Sequence, residues 1–326
     1  MENMNESEMK RIARYSSMHR KGIRAFNGAQ TKQSYKTAFE CFQKAYDLGC
    51  EEALVDLGVC YLRGYGVPPD IERGVKILTE CYERKLPHAY QAYGRIHELG
   101  EGVEQDYEKA MECYLKAIEY GEPRAYSNIA NLYLHGNGCE KSVSKAMDAY
   151  RNGHKYGDPL SSANLGTIYL EGLFGIDRDY DQAFSFLTKA VQRDNLPSFS
   201  RLARCYAGGL GCEKDIQMAE ELYSKAYKRG DFNGLNGMAE LRKEGAIKAS
   251  PHKIFNMFRK ASENGCLDAS FNLGICYLEG FGTKRCFQEA CYALSRTFPQ
   301  SDSQPPIKFT VVQIKPQDQD NKSDFN

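Results

Sequence analysis

Ser7-Glu8-Met9-Lys10 and Ser142-Val143-Ser144-Lys145 both have the Ser-x-x-Lys spacing of a serine nucleophile with a lysine beside it. Acyl transfer on such a pair also calls on Ser-Asp-Asn and Lys-Thr-Gly tripeptides, and neither accompanies them here. A chain with this much Ser and Lys yields one or two such matches by chance. Ser142 also stands just before an amphipathic stretch, where capping a helix is its plainer role.

Metal chemistry fares no better. The six histidines, at 19, 88, 97, 135, 154 and 252, are never paired at i, i+4 or set beside a close Cys pair, as a zinc site requires. His97 falls in a slot held elsewhere by Tyr61, Tyr133 and Tyr169, so packing accounts for it. The twelve cysteines follow no fixed interval and form no CxxC pair. They read as reduced thiols, mostly filling small core slots. Gly-x-Gly turns abound, but none continues into Gly-Lys-Ser/Thr, so they are not phosphate loops. No metal, no cofactor and no catalytic set is expected, and the chain reads as a non-enzyme.

Charge excludes two partner classes at the level of the whole chain. Lys plus Arg and Asp plus Glu are 43 each, leaving no overall field to draw nucleic acid or an anionic membrane. One local exception is Lys10, Arg11, Arg14, Arg20, Lys21 and Arg24, with no acidic residue between the first and the last. That run suits either a solvated helix face or the docking of an acidic partner. No stretch approaches the roughly 20 apolar residues of a membrane span, and the polar start lacks an apolar leader core, so a cytoplasmic protein is expected.

The elements that position these residues come from a repeat of about 36 residues. Leu57-Gly58-Val59-Cys60-Tyr61-Leu62-Arg63-Gly64 returns as Leu273-Gly274-Ile275-Cys276-Tyr277-Leu278-Glu279-Gly280. A small residue recurs at Gly58, Gly94, Ala130, Gly166, Ala203, Ala239 and Gly274. A turn glycine follows each, at Gly64, Gly100, Gly136, Gly172, Gly209, Gly245 and Gly280. Stepping back one period reaches Gly22 and Gly28, an atypical first unit of the kind solenoids carry at their ends. Each unit continues with apolar residues at i, i+4 and i+7, such as Ala110/Tyr114/Ala117 and Ile254/Phe258/Ala261, which is helical spacing. Small residues let the paired helices approach, and the middle residue of each triplet should fill the gap to the next unit. The turn after Glu171 carries an extra residue and the one at Gly245 lacks its second glycine, so these two should differ in shape.

Tyr93-Gly94-Arg95-Ile96-His97-Glu98-Leu99-Gly100-Glu101-Gly102-Val103, with Lys109-Ala110 and Tyr114-Leu115-Lys116-Ala117 after it, resembles the Sel1-like repeat of the tetratricopeptide superfamily. The resemblance runs over about residues 10–297. It implies an all-α, right-handed α-solenoid of about eight antiparallel helix pairs, and a scaffold or adaptor that binds a protein or peptide. Alternatives it leaves open are a β-lactam-binding or hydrolysing enzyme of the cysteine-rich Sel1-like kind and a structural oligomerising spacer. The expected organisation is a degenerate capping repeat whose first helix lies in residues 1–33, the repeat solenoid at 34–298 and a flexible tail at 299–326.

In the tetratricopeptide architecture the first helices line the concave surface, which points to two columns of candidate contacts. Two residues before the small column lie Asp56, Ala92, Asn128, Asn164, Arg201, Gly237 and Asn272, of which the polar five are candidate contacts. One residue after it lie Val59, Arg95, Asn131, Thr167, Arg204, Glu240 and Ile275, and Arg95, Asn131 and Arg204 are taken from them as contacts. An Asn in the former column resembles the residue with which tetratricopeptide clamps grip a peptide backbone, since its amide both donates and accepts. Asn128, Asn164 and Asn272 are therefore the foremost candidates. Arg201 and Arg204 could meet a carboxylate or phosphate, or pair within the array. Leu62, Leu134, Leu170 and Leu278 form either an apolar strip or part of the core. Beyond the repeats, Ile307-Lys308-Phe309-Thr310-Val311-Val312-Gln313-Ile314 is a short β-prone run after a Pro- and Ser-containing linker, able to cover the last repeat or to join a partner's sheet.

Overall fold

The computed structural model describes residues 6–27 and 34–297, so the expectations for residues 28–33 and the tail lie outside it. Among the described residues there are sixteen α-helices and no strand, in the order of eight successive pairs, and helices adjacent in the chain pack on one another up to Gln192 and again from Ile216 onward. The pairs are α1 (Glu6–Asn27) with α2 (Tyr35–Asp47), α3 (Glu52–Arg63) with α4 (Ile71–Glu83), α5 (Ala89–Leu99) with α6 (Tyr107–Glu119), and α7 (Arg124–His135) with α8 (Val143–Lys155). Then come α9 (Pro159–Glu171) with α10 (Tyr180–Gln192), α11 (Leu196–Gly208) with α12 (Ile216–Lys228), α13 (Phe232–Lys243) with α14 (Pro251–Glu263), and α15 (Leu267–Glu279) with α16 (Phe287–Ser295). This is the all-α solenoid architecture. The chain groups into two compact units, residues 1–198 and 199–326, a division inside α11 that the repeat register does not signal.

Each second helix except α16 starts on a short polar side chain that accepts the backbone N–H three residues on. The caps are Ser34, Asp70, Asp106, Ser142, Asp179, Asp215 and Ser250. Each satisfies an otherwise orphaned donor and is worth about 1 kcal/mol. Ser142 is thus a cap, its Oγ accepting from Lys145 N, and Ser7 lies on exposed α1 surface. First helices end on glycines in the left-handed region, for example Gly64 (φ 71°) and Gly136 (φ 75°). The two irregular turns do differ: Phe174 takes φ 58°, and α13 is closed by Glu244 at φ −73°.

The middle residues of the second helices are the largest buried side chains, Phe42, Tyr114, Tyr150, Leu187 and Phe258 among them. Their packing corrects the expectation that they only bridge to the next unit. A Cβ at Gly94 would lie 2.9 Å from Tyr114 and one at Gly166 would lie 2.7 Å from Leu187, so these side chains fill the space that the glycine of their own unit leaves free. Leu78 does both, lying over Gly58 and joining a cluster with Ala89 and Ile96 of the next unit. Eight of the cysteines are buried, including Cys60, Cys81, Cys113, Cys205 and Cys276, and all twelve are free thiols. Burial pushes the Cys60 thiol up to about 12, leaving it protonated and inert.

Candidate partner-binding face

The two candidate columns lie on the first helices with the exposure of a half-open polar face. Asp56, Asn128, Asn131, Asn164, Arg201 and Asn272 are half-buried, while Arg95 and Arg204 are exposed. The next turn of the same helices is closed: Leu62, Leu134 and Leu170 are buried and only Leu278 is partly open, so the leucines belong to the core rather than to a contact strip.

In the first unit the buried tyrosines reach this face with their hydroxyls. Tyr150 of α8 donates to Asn131 Oδ1 on α7 and also meets the side chain of Asn164 on α9, which brings two candidates from successive repeats onto one hydroxyl. Burial raises the Tyr150 pKa and the Asn164 bond opposes it, so the phenol stays a neutral donor. Tyr114 donates to Glu98 Oε2 at 2.5 Å, beneath exposed Arg95. Asp56 is met by His19 Nε2 of α1 at 2.6 Å. Asn128 sits one turn before Asn131 on α7.

In the second unit Asn272 Nδ2 donates to Glu240 Oε1 at 2.9 Å and to Asn236 Oδ1 at 3.1 Å, and Asn236 Nδ2 donates to Glu240 Oε1 at 2.9 Å. Burial raises the Glu240 pKa, while the bonds from Asn272 and Asn236 lower it. Tyr223, raised by burial, feels Glu240 on one side and Arg204 on the other. Arg201 and Arg204 both take part in interactions of the folded chain.

The network residues Tyr114, Tyr150, Glu98 and Asn236 are absent from the sequence-derived columns, while Glu240 stands in the second of them. The available signal was a tyrosine in a column otherwise filled by Leu and Phe, since a buried phenol requires a hydroxyl partner. One Ser–His contact, His154 Nδ1 to Ser162 Oγ at 3.0 Å, has the spacing of a nucleophile and base. Ser162 is fully buried, donates to Asp158 O and accepts from Arg193, so it ties α8, α9 and α10 together. His97 packs edge-on to Tyr93 with both ring nitrogens buried and unpartnered, and burial lowers its pKa.

The six cations of α1 are all exposed. Among the described residues no group of His, Cys, Asp and Glu suits a metal ion, and no helix is long and apolar enough to cross a membrane.

The family described as Sel1 repeat matches residues 16–50, 51–80, 87–121, 123–148, 159–195, 200–231 and 267–293. The pair α13–α14, whose turn lacks the second glycine, lies outside those matches. Among solved structures the chain is similar to c5321, a protective antigen of uropathogenic Escherichia coli with an SLR fold. There the TM-score is 0.57 at 24% identity, over 90% of this chain and 64% of that one. The chain thus spans less than two thirds of that protein. A Sel1 repeat protein from Oxalobacter formigenes matches at 32% identity and TM-score 0.52, over 69% of this chain and 91% of that one. Yeast Tom70 shares the fold at 14% identity and TM-score 0.51, over 82% of this chain and 54% of that one. No curated protein sequence matches.

Proposed function

The chain belongs to the Sel1 repeat family, and from that premise we propose that it is a non-catalytic adaptor that grips an extended protein segment along the polar face of its first helices. The observation that carries this reading is the spacing of half-buried side-chain amides on successive first helices, held by hydroxyls and carboxylates from below. Such amides are oriented before a ligand arrives, which lowers the ordering cost of binding, and each can meet a peptide N–H or C=O. Asn128, Asn131 and Asn164 serve one unit; Asn272, with Arg201 and Arg204, serves the other. Arg95 and Asp56 are the charged positions of the first unit's face. The reading includes a reducing, cytoplasmic compartment, supported by twelve free thiols.

Affinity capture with the intact chain and with Asn128, Asn164 and Asn272 all changed to Ala tests it. Loss of the captured partner at unchanged helicity is the expected result. An identical partner set would refute the groove reading in favour of a spacer. Turnover of a chromogenic β-lactam that vanishes in Ser142→Ala would overturn the non-catalytic part.

A further inference from the structure

Inside each of the two compact units, successive repeats close on one another. In four repeats the second turn glycine sits on the start of the preceding repeat's second helix: Gly66 on Tyr35, Gly102 on Ile71, Gly138 on Tyr107 and Gly282 on Pro251; the longer turn at Gly175 makes no such contact. The residue three before the small column is closed in the same way. Val55 packs in the cluster with Ala89 and Ile96, Ser200 bonds Asp231, and Asn236 bonds Asn272. These three are 6%, 8% and 5% exposed.

The last pair has no such cover. Phe271, the counterpart of Val55 and Asn236, is 53% exposed, and Phe287, the counterpart of Tyr35 and Ile71, is 63% exposed against 52% for Ile71 beneath Gly102. Leu267, one turn before Phe271, is 56% exposed. Leu294 is only half-buried where Leu78, Leu187 and Phe258 are fully so. An apolar end face of this kind is what a terminal repeat must hide to remain soluble.

We propose that residues 307–314 of this same chain, which lie outside the described residues, cover the end face formed by α15 and α16. Ile307, Phe309 and Val311 alternate, so in an extended backbone they would share one side at about 7 Å intervals. That row matches a face two helices wide, whose axes lie about 10 Å apart. Residues 298–306 connect the segment to the last helix pair and reach at most about 30 Å. Running back along the nine residues of α16 takes only about 14 Å. The tether also holds the segment at roughly millimolar effective concentration, which a second copy of the chain cannot match at micromolar levels.

The test uses the full-length chain with Phe309→Asp and Val311→Asp, two changes outside the eight helix pairs. Hydrogen exchange of α15 and α16 amides should accelerate about tenfold or more, with α12 unchanged as the internal reference. Equal exchange in the two proteins would overturn the proposal. Separately, Val311→Cys treated with a short bismaleimide should cross-link to Cys291 within one chain. A cross-link formed only between chains would overturn it in favour of end-to-end association.

Discussion

The contact between a turn glycine and the preceding unit is open to a paired test in the first unit, using Gly138→Ala and Gly157→Ala. Both glycines have positive φ, 63° and 96°. An alanine at either therefore meets left-handed strain of about 1–2 kcal/mol. At Gly157 nothing lies within 4 Å of the added methyl, so strain is the whole effect. At Gly138 the methyl would lie 2.6 Å from Tyr107 Cβ, 2.7 Å from Tyr107 C and 2.9 Å from Glu108 N. Two of those atoms are backbone and cannot rotate away, so α6 and the turn must separate, adding about 1–3 kcal/mol of overpacking. The expected total is about 2–5 kcal/mol for Gly138→Ala against about 1–2 kcal/mol for Gly157→Ala. Urea unfolding followed by far-UV circular dichroism, with both variants fitted as a repeat array, reads the difference. If Gly138→Ala costs no more than Gly157→Ala, the turn does not bear on the preceding unit, and the argument for an uncovered Phe287 falls with it.

Three further outcomes follow from the same coordinates. Lys85 has φ 57° at the position that Gly49, Gly121 and Gly157 occupy in other units, so Lys85→Gly should stabilise by about 0.5–1 kcal/mol, read by the same urea titration; any destabilisation contradicts it. Tyr150→Phe removes the hydroxyl shared by Asn131 and Asn164 and should cost about 0.5–1.5 kcal/mol, with a non-zero coupling to Asn131→Ala in a double-mutant cycle. His88 is raised chiefly by its bond to Glu122, and Glu122 is lowered chiefly by its bond to His88. The His88 contribution is present in full below its ordinary pKa and is lost as pH rises through its raised one. The Glu122 contribution is lost as pH falls through its lowered one. His88→Gln should therefore flatten the loss of stability above about pH 6.5, and a titration curve unchanged from the wild type would contradict the pairing.

Much of the fold was legible because its causes are local. The helix starts at Asp70 and Ser142, the left-handed stops at Gly64 and Gly136, and the apolar triplets around Tyr114 and Phe258 are each written within a few residues, and their common period sets which helices pair. The odd turns at Phe174 and Glu244 were visible as an insertion and a missing glycine. The candidate face was legible only in part. Column position singles out Asn128, Asn164 and Asn272, which are half-buried on the first helices, yet it could not separate Leu62 and Leu134 from them, since the burial of those leucines depends on how the neighbouring turns close over them.

By itself the sequence determined the repeat, its register and the architectural residues, because hydrogen-bond caps, φ > 0 turns and close helix approach each demand particular residue types at fixed offsets. Only the tertiary structure decided what the face residues touch. Asn131 and Asn164 share the Tyr150 hydroxyl, Asn272 lies on Glu240, and Phe271 and Phe287 stand exposed at the last pair. Those contacts join residues 14 to 32 positions apart, across helices whose spacing is set by packing, and no local rule of sequence carries that distance.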